Sequence, residues 1–447
     1  MSCLFGTDGV RGVAGQHPIT VDFAFKLAYV LSDIICKNKK RVAIGKDTRI
    51  SGDMLESALI SGFCSKGIDV ISLGVVPTPL LTGKTKSLDV DMSIMITASH
   101  NPYFDNGLKL INETGDKFSD ELYEGIEKRL NSFHLNDETE NSFGRIIRNE
   151  GIVEEYIEDM RKIAPNYKAL QGIRVVLDCA NGAYHYILPQ TFKDLGAGVI
   201  AINNNPDGYN INKNCGSQHT EELAQTVVES KANFGIAVDG DGDRIILVDD
   251  KGNVVDGDQL LCFLAKYLKQ QNMLPNNTVI STEWSNLGLG EYLLSNGYQY
   301  YKSKVGERYV IDLMKEKNAK LGGEVVGHIV LSDYAISGDA LATAIIIALA
   351  YCEENKKMSE IFPIFEAYPC IIRNIRFKNR EDMLNSVEKE DVKLEIEKSK
   401  KLLGDKSTLI VRKSGTEPSI KLRIEDKNAN IVKEVADNLE KIISKYK

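Results

Sequence analysis

The chain has 447 residues, of which 43% are hydrophobic and 26% are charged, a composition typical of globular proteins rather than disordered or collagen-like ones. A single hydrophobic core stops growing at roughly 250–300 residues, so this length predicts several domains. The formal net charge of −8 argues against nucleic-acid binding, which depends on an excess of Lys and Arg. We therefore expect no nucleic-acid partner.

The cysteines and the apolar segments predict a cytoplasmic protein with no membrane partner. The eight cysteines lack the spacing typical of zinc sites or disulfide frameworks, and they indicate reduced thiols. The amino terminus meets Gly and Asp before any apolar stretch as long as that of a signal peptide. The longest apolar run, residues 340–352, is shorter than the roughly 18–20 residues of a membrane span. It follows Asp339 and predicts a capped, buried helix.

One arrangement of predicted elements occurs three times along the chain. A β-branched strand enters a polar or Gly-rich loop and then a helix, a second strand ends in a turn, and a third strand enters an unusual loop. The first strands of the three sets are Arg41-Val-Ala-Ile-Gly45, Arg174-Val-Val-Leu-Asp178 and Thr278-Val-Ile-Ser-Thr282. The pattern predicts three related α/β domains, each with a loop at the carboxyl ends of its strands, where ligands bind.

The first of the unusual loops, Thr97-Ala-Ser-His-Asn-Pro102, contains the candidate nucleophile Ser99. A serine hydroxyl needs help from its surroundings, and an isolated Ser-His pair is usually an ordinary turn. Here Asn101-Pro102 fixes the turn, and Lys109 supplies a positive charge that could bind phosphate.

The second loop, Asp239-Gly-Asp-Gly-Asp-Arg244, places three carboxylates at alternate positions. The intervening glycines let them turn toward one centre, and an all-oxygen set suits a hard cation such as Mg²⁺. The alternatives are a calcium loop or an acidic surface turn. No glutamate stands at the last position of an EF-hand pattern, which argues against the calcium loop.

The third loop, Gly322-Gly-Glu-Val-Val-Gly-His328, offers a carboxylate at Glu324 and an imidazole at His328. The carboxylate could accept hydrogen bonds from sugar hydroxyls and the histidine could move a proton, although either could equally be a satisfied polar residue. Arg11 and Lys46-Asp-Thr-Arg49 add hydrogen-bond donors near other loop ends, although such residues usually form ion pairs at the surface.

The last part of the chain does not repeat this plan and predicts a smaller α+β domain. A strand over 370–377 is followed by charged helical segments, a strand-loop-strand over 409–424 and a closing helix from 431. The loop Arg412-Lys-Ser-Gly-Thr416 combines charge, hydroxyls and a flexible backbone, which can bind phosphate. The alternative is a solvated hairpin turn.

These loops occur together, in this order, in one known family. The other matching segments are Gly6-Thr-Asp-Gly-Val-Arg-Gly12, Gly45-Lys-Asp-Thr-Arg-Ile-Ser-Gly52, Asp105-Asn-Gly107, Ser285-Asn-Leu-Gly-Leu289 and Val305-Gly-Glu-Arg-Tyr-Val310. On these segments the chain resembles the α-D-phosphohexomutases along essentially its whole length, and within them it is most similar to the bacterial phosphoglucosamine mutases.

The resemblance implies an α/β fold with three related domains of mixed, largely parallel sheets and a smaller C-terminal α+β domain around a central active-site cleft. The expected boundaries are 1–150 for the phosphoserine domain, 151–254 for the metal-binding domain, 255–364 for the sugar-binding domain and 365–447 for the phosphate-binding domain. The implied reaction interconverts glucosamine 6-phosphate and glucosamine 1-phosphate, for UDP-N-acetylglucosamine and cell-wall synthesis. It uses phosphorylated Ser99, a bisphosphorylated sugar as intermediate and primer, and one Mg²⁺ per active site.

The same matching implies the roles of the site residues. The transferring phosphoryl group would lie near Ser99, Arg11, His100, Lys109, Arg244 and the acid/base His328. The metal would be held by Asp239, Asp241 and Asp243 with the phosphate on Ser99. Substrate would be bound by Glu324, Arg412, Ser414, Gly415 and Thr416.

The chain departs from the family pattern at two positions. Val326 replaces the serine usual in the sugar loop, which puts sugar specificity in doubt, and Lys421 replaces an arginine, which keeps charge but not bidentate geometry. A phosphomannomutase or phosphoglucomutase therefore stays open as an alternative, as do a phosphosugar-binding protein without turnover and a phosphatase with an aspartate nucleophile. A homodimer is a possible assembly.

Overall fold

The computed structural model describes residues 4–6, 9–133, 142–404, 406–413 and 418–447. By its internal contacts the chain divides into two compact units. The first unit comprises Met1–Trp284 and Gln299–Ile364, and the second comprises Ser285–Tyr298 and Phe365–Lys447. Three mixed sheets lie in the first unit and an antiparallel sheet lies in the second.

The first sheet has six strands in the order β1-β5-β4-β2-β3-β6. Its β5 is antiparallel to both neighbours, and the remaining pairs are parallel. The strands are β1 (Val10–Val13), β2 (Arg41–Lys46), β3 (Asp69–Val75), β4 (Met92–Ile96), β5 (Asp105–Asn112) and β6 (Ile146–Arg148). The helices of this region are α1 (Val21–Ile34), α2 (Ser51–Ser65), α3 (Thr78–Thr85) and α4 (Asp120–Asn131).

The second sheet has five strands in the order β11-β10-β9-β7-β8, with β10 antiparallel to its neighbours. After α5 (Ile152–Arg161), the strands are β7 (Arg174–Asp178), β8 (Gly198–Ile202), β9 (Phe234–Val238), β10 (Ile245–Val248) and β11 (Val254–Val255). The helices are α6 (Ile187–Asp194) and α7 (Glu221–Ser230).

The third sheet has four strands in the order β13-β12-β14-β15, with β15 antiparallel to β14. The strands are β12 (Thr278–Thr282), β13 (Gln299–Ser303), β14 (Leu321–Gly323) and β15 (Ile329–Leu331). The helices are α8 (Gly257–Gln270), α9 (Leu287–Ser295), α10 (Glu307–Lys317), α11 (Ala340–Glu353) and α12 (Met358–Ile361). Of these helices, α9 belongs to the second unit.

The three sheets share one strand order. In each, the first strand of the set is central, the second and third strands are parallel to it on either side, and the fourth is antiparallel beyond the third. The shared orders are β5-β4-β2-β3, β10-β9-β7-β8 and β15-β14-β12-β13. The prediction of three related α/β domains is confirmed, and each unusual loop joins the third strand to the fourth at the carboxyl end of the parallel strands.

The apolar segments of the sequence form buried strands and a buried helix. All five residues of β4, β9 and β12 are buried, as expected for parallel strands that are covered on both faces. The predicted apolar helix is α11, and the Asp339 side chain caps it by accepting the N–H groups of Leu341 and Ala342. Among the described helices, none combines the length and hydrophobicity that crossing a bilayer requires.

The second unit contains an antiparallel sheet of three strands in the order β16-β18-β17. The strands are β16 (Cys370–Arg376), β17 (Thr408–Lys413) and β18 (Ser419–Glu425), and the helices are α13 (Arg380–Ser386), α14 (Glu390–Leu403) and α15 (Ala429–Ile443). The closing helix buries Val432, Val435, Ala436, Leu439 and Ile443, at the three- and four-residue spacing of an amphipathic helix. The predicted C-terminal α+β fold is confirmed.

Candidate active site

The three unusual loops meet in the first unit. The Ser99 hydroxyl donates a hydrogen bond of 2.6 Å to Oδ2 of Asp239, and Nε2 of His328 lies 3.0 Å from Oδ1 of Asp243. These side chains are almost fully buried. Residues predicted separately on three sheets therefore form one polar cluster.

Ser99 has a left-handed backbone with φ of +52°, which is uncommon for a residue with a Cβ atom. Its N–H donates to Oγ1 of Thr97 at 2.8 Å, and its hydroxyl lies 3.3 Å from Nδ1 of His100. Gly240 of the carboxylate loop lies so close that a Cβ atom there would be 2.7 Å from the Ser99 carbonyl oxygen. Glycine at 240 thus lets the two loops approach each other.

The carboxylates of Asp239, Asp241 and Asp243 are buried, and one oxygen of each lies within 4.8 Å of the others. Thr78 donates to Oδ2 of Asp241 at 2.6 Å. Within the part of the chain that the structure describes, Oδ1 of Asp241 is buried without a hydrogen-bond partner. An all-oxygen donor set with an unsatisfied buried oxygen fits a hard divalent cation.

Lys109 is the positive charge closest to these carboxylates. It extends from β5, and its Nζ lies 2.6 Å from Oδ2 of Asp241 and 2.8 Å from Oδ2 of Asp243. The ammonium group is buried with them. The sequence-predicted lysine thus offsets part of the negative charge of the cluster.

The pKa directions of the three carboxyls show that this compensation is incomplete. Burial, together with repulsion from Asp243 and Asp241, raises the pKa of Asp239 well above its usual range. Burial also opposes ionisation of Asp241 and Asp243, but Lys109 lowers the pKa of Asp241, and His328 and Lys109 lower that of Asp243. Crowded carboxylates with too little positive charge behave in this way, and a bound cation would supply the missing charge.

His328 is held between two carboxylates. Its Nδ1 lies 3.2 Å from Oε2 of Glu324, whose Oε1 accepts the N–H of Gly306 at 3.0 Å. Although burial disfavours the charged ring, Asp243 and Glu307 raise the pKa of His328 to about 10. With this pKa, His328 is protonated at neutral pH and can donate a proton.

The second histidine of the cluster is neutral. Burial, Arg244 and Arg11 lower the pKa of His100 to about 3. Arg11 lies on β1 opposite Gly107 of β5, and the main-chain N–H of Arg244 donates to Oδ1 of Asp239. The guanidinium Nε of Arg244 lies 3.9 Å from Oδ1 of Asp243, and both predicted arginines lie close enough to His100 to lower its pKa.

The predicted phosphate-binding residues belong to the second unit. Arg412 is exposed on β17, opposite Lys421 of β18. Ser414, Gly415 and Thr416 lie outside the described residues. In the first unit, Val326 lies in the loop between Glu324 and His328 with 45% of its surface exposed.

Two residues contact the Ser99 turn in a way that the sequence did not predict. The sequence suggested that Arg49 pairs with an acidic residue at the surface. Arg49 is instead only 2% exposed, and its guanidinium contacts the Ser99 turn. Asn212 donates to the Ser99 carbonyl from the loop after β8. Arg49 lies in one of the family-like segments, which was a signal, whereas Asn212 had none because its contact spans 113 residues.

Models of the phosphoglucomutase/phosphomannomutase family match the chain in order. The α/β/α domain I matches residues 2–137, domain II 154–252, domain III 256–368 and the C-terminal domain 373–442. The chain belongs to this family. It is accordingly a mutase, an enzyme of the isomerase class.

Individual relatives agree with this membership. A phosphoglucosamine mutase from Nautilia profundicola is 44% identical over 97% of this chain and 97% of its own. A phosphoglucomutase/phosphomannomutase family protein from Burkholderia thailandensis has a TM-score of 0.81 at 22% identity, covering 99% of this chain and 97% of its own. An N-acetylphosphoglucosamine mutase from Aspergillus fumigatus, solved with GlcNAc-6P and magnesium, has a TM-score of 0.68 at 15% identity, covering 99% and 96%.

Proposed function

We propose that the enzyme is a phosphoglucosamine mutase that interconverts glucosamine 6-phosphate and glucosamine 1-phosphate, with Ser99 as the phosphate carrier. The observation that carries the proposal is the buried Ser99 hydroxyl, 2.6 Å from a carboxylate of the three-aspartate cluster. A hydroxyl at the edge of an all-oxygen cation site is placed where a phosphoserine could share its oxygen with the metal.

Asp239, Asp241 and Asp243 would hold Mg²⁺ together with an oxygen of phosphorylated Ser99. The unsatisfied Oδ1 of Asp241 and the charge imbalance of the three carboxyls support this assignment. When bound, the cation would neutralise negative charge on the phosphoryl oxygens. The magnesium complex of the Aspergillus fumigatus relative is consistent with this choice of metal.

The chain's own residues would position and neutralise the transferring group. In the first half-reaction the bond between phosphorus and Oγ of Ser99 breaks and phosphorus bonds to a sugar oxygen, and the proton that the sugar hydroxyl loses is balanced by the proton that Oγ of Ser99 gains. The bisphosphorylated sugar then reorients and returns its other phosphoryl group to Ser99. Lys109, Arg11 and Arg244 would stabilise the charge on the phosphoryl oxygens. Neutral His100 would donate or accept a hydrogen bond beside Ser99.

His328 would act as the acid/base on the sugar oxygen. Held protonated between Asp243 and Glu324, it can donate a proton to the sugar oxygen that loses its phosphoryl group and recover it in the other half-reaction. Glu324 would accept hydrogen bonds from sugar hydroxyls. Arg412, Ser414, Gly415 and Thr416 would bind the phosphate that is not being transferred.

The sugar identity rests on the relatives that carry the name phosphoglucosamine mutase at 40–44% identity. The exposed residue Val326 favours a preference for a sugar other than glucosamine, because the serine hydroxyl usual at this position is absent. The kcat/KM values for glucosamine, glucose and mannose 6-phosphates would decide. A lower value for glucosamine 6-phosphate than for the other two would contradict the assignment.

The test of the carrier is mass spectrometry of the intact protein before and after incubation with glucosamine 1,6-bisphosphate and Mg²⁺. We expect one added phosphate that maps to Ser99, and none in Ser99→Ala, which should lose turnover. A Ser99→Ala enzyme that keeps activity would instead favour an aspartate nucleophile. A protein that binds sugar phosphate without turnover under these conditions would favour a binding function.

We also propose a cytoplasmic location and a homodimeric assembly. The seven cysteines that the structure describes are all free thiols, as expected in a reducing compartment. Gel filtration with light scattering would measure the assembly directly.

A further inference from the structure

Arg49 is surrounded by acceptors from the Ser99 turn. Its Nε donates to Oδ2 of Asp47 at 2.9 Å. Its two terminal nitrogens donate to four main-chain carbonyl oxygens, those of Ser99, Asn101, Pro102 and Asp105. A guanidinium has five N–H groups, so these five contacts use all of them. Arg49 therefore has no donor left for a phosphate, although it lies directly behind the candidate phosphoserine.

Asn212 contacts the same turn from the second α/β domain. Its Nδ2 donates to the carbonyl oxygens of Ser99 at 2.8 Å and Asn101 at 3.0 Å. The Asn212 N–H in turn donates to the carbonyl of Ala180 at 2.9 Å, which fixes the loop that carries it. The Ser99 and Asn101 carbonyls thus each accept one hydrogen bond from Arg49 and one from Asn212.

The turn needs this support because of its conformation. A left-handed backbone is unfavourable at a residue other than glycine, so Ser99 stays at φ of +52° only if its surroundings favour that state. The conformation aims the hydroxyl at Asp239. A rotation of the adjoining peptide groups would carry Oγ away from the carboxylate cluster.

We propose that Arg49 and Asn212 are positioning residues that hold the Ser99 turn in its left-handed conformation, so that phosphoryl transfer to and from Ser99 depends on both although neither touches the substrate. The proposal rests on the proposed function of Ser99 as the carrier. It makes the rate of the transfer step, rather than the binding of sugar phosphate, the quantity that these two residues control.

The experiment compares Arg49→Lys and Asn212→Ala with the wild type in the complete chain. Lysine keeps the charge beside Asp47, but a single ammonium cannot reach four carbonyls. Rapid quench with glucosamine 1,6-bisphosphate, followed by mass spectrometry, gives the rate of Ser99 phosphorylation. Steady-state assays give kcat and KM. Arg161→Lys is the matched control, because Arg161 contacts Glu158 and Asp194 rather than the Ser99 turn.

We expect the phosphorylation rate and kcat to fall about 100-fold in Arg49→Lys, since misplacing a reacting group by about 1 Å has this effect. In Asn212→Ala both rates should fall about 10-fold because two hydrogen bonds are lost, the equivalent of about 1.4 kcal/mol. In both, KM for glucosamine 6-phosphate should stay near that of the wild type, and the control should match the wild type throughout.

Three outcomes would overturn the proposal. Variants that phosphorylate Ser99 at the wild-type rate despite a lower melting temperature would show a merely structural role, and a raised KM with unchanged kcat would show a substrate contact. If Arg49→Lys does not fold, Asn212→Ala decides by the same measurements. If the wild type itself gains no phosphate at Ser99, both the proposed function and this inference fail. The other two outcomes leave the wild type phosphorylated, so they contradict only this inference.

Discussion

Nζ of Lys109 lies 2.6 Å from Oδ2 of Asp241 and joins the first α/β domain to the second through a buried ion pair. The same ammonium contacts Asp243, a further candidate metal ligand. A positive charge in this position both repels a bound cation and stabilises negative charge on a phosphoryl group. The two effects have opposite consequences for binding and for turnover.

Lys109→Met should separate these two effects. We expect kcat to fall about 100-fold or more, because a charge that stabilises the transferring group is lost. Binding of Mn²⁺, followed by electron paramagnetic resonance, should be retained or become tighter, because a like charge has been removed. Lys84→Met is the control, since Lys84 pairs with Asp159 instead. Simultaneous loss of Mn²⁺ binding and turnover would contradict the prediction.

Gly240→Ala should reduce turnover through the contact between two loops. Its Cβ atom would lie 2.7 Å from the Ser99 carbonyl oxygen and 2.8 Å from Cδ1 of Ile211, so one loop must shift. We expect kcat to fall at least about 10-fold, as measured in the mutase assay. Gly83→Ala in α3 is the matched control, because a Cβ atom there meets no atom within 4 Å. Equal activities of the two variants would argue against a close approach.

Removing one hydroxyl from the buried Tyr156, Tyr184 and Asp339 triad should destabilise the first unit. Both phenols donate to Asp339, at 2.6 Å and 2.9 Å, and lie 2.8 Å from each other. Tyr184→Phe should lower the free energy of unfolding in urea by about 1–3 kcal/mol. The double variant with Tyr156→Phe should lose less than the sum, since both act on one carboxylate.

The control for the triad is Tyr167→Phe, because Tyr167 is 57% exposed and bonds Glu158 at the surface. Its effect should stay within about 0.5 kcal/mol. Additive losses in the double variant would show that the two phenols do not share Asp339.

Asp178 should make stability depend on pH. Burial raises the pKa of Asp178 to about 6, although the N–H groups of Ala180 and Gly216 donate to it. The folded state binds this proton more tightly than the unfolded chain does. The contribution of protonated Asp178 to the free energy of unfolding is therefore fully present below the unfolded pKa and is lost as pH rises through about 6. The stability of the wild type relative to Asp178→Asn should therefore fall by about 2 kcal/mol from about pH 4.5 to 7.5.

Urea unfolding of both proteins across this range gives that difference, and groups common to both cancel. A difference that is constant or rises with pH would contradict the raised pKa. The asparagine also brings an N–H group toward two N–H donors, which adds a cost that does not vary with pH.

Much of the fold followed from the sequence because its signals are local. The predicted strands Arg174–Asp178 and Thr278–Thr282 coincide with β7 and β12, since each is a short β-branched run ending in a polar loop. The Ser99 and Asp239–Arg244 loops were found for the same reason: their chemistry is contained in six residues. The repetition of this pattern predicted three related domains, whereas the strand order that the three sheets share was seen only in the structure.

What the sequence did not reveal depends on contacts between distant residues. Arg49 is buried because carbonyls some 50 residues away accept its N–H groups, and Asn212 meets Ser99 across 113 residues. The assignment of α9 to the second unit likewise depends on packing that its own residues do not specify. The pairing of Glu324 with His328 was not predicted, because the sequence analysis gave the two residues separate roles in sugar binding and proton transfer.

The strand order shared by the three sheets is what tandem duplication of one ancestral βαβαββ unit would produce. Each copy places its loop between the third and fourth strands in the same topological position, and one loop carries a hydroxyl, another three carboxylates and the last an imidazole with its carboxylate. The copies could diverge in these loops without altering the sheets beneath them. A single scaffold, repeated, could in this way acquire three unlike chemical parts that only work in combination.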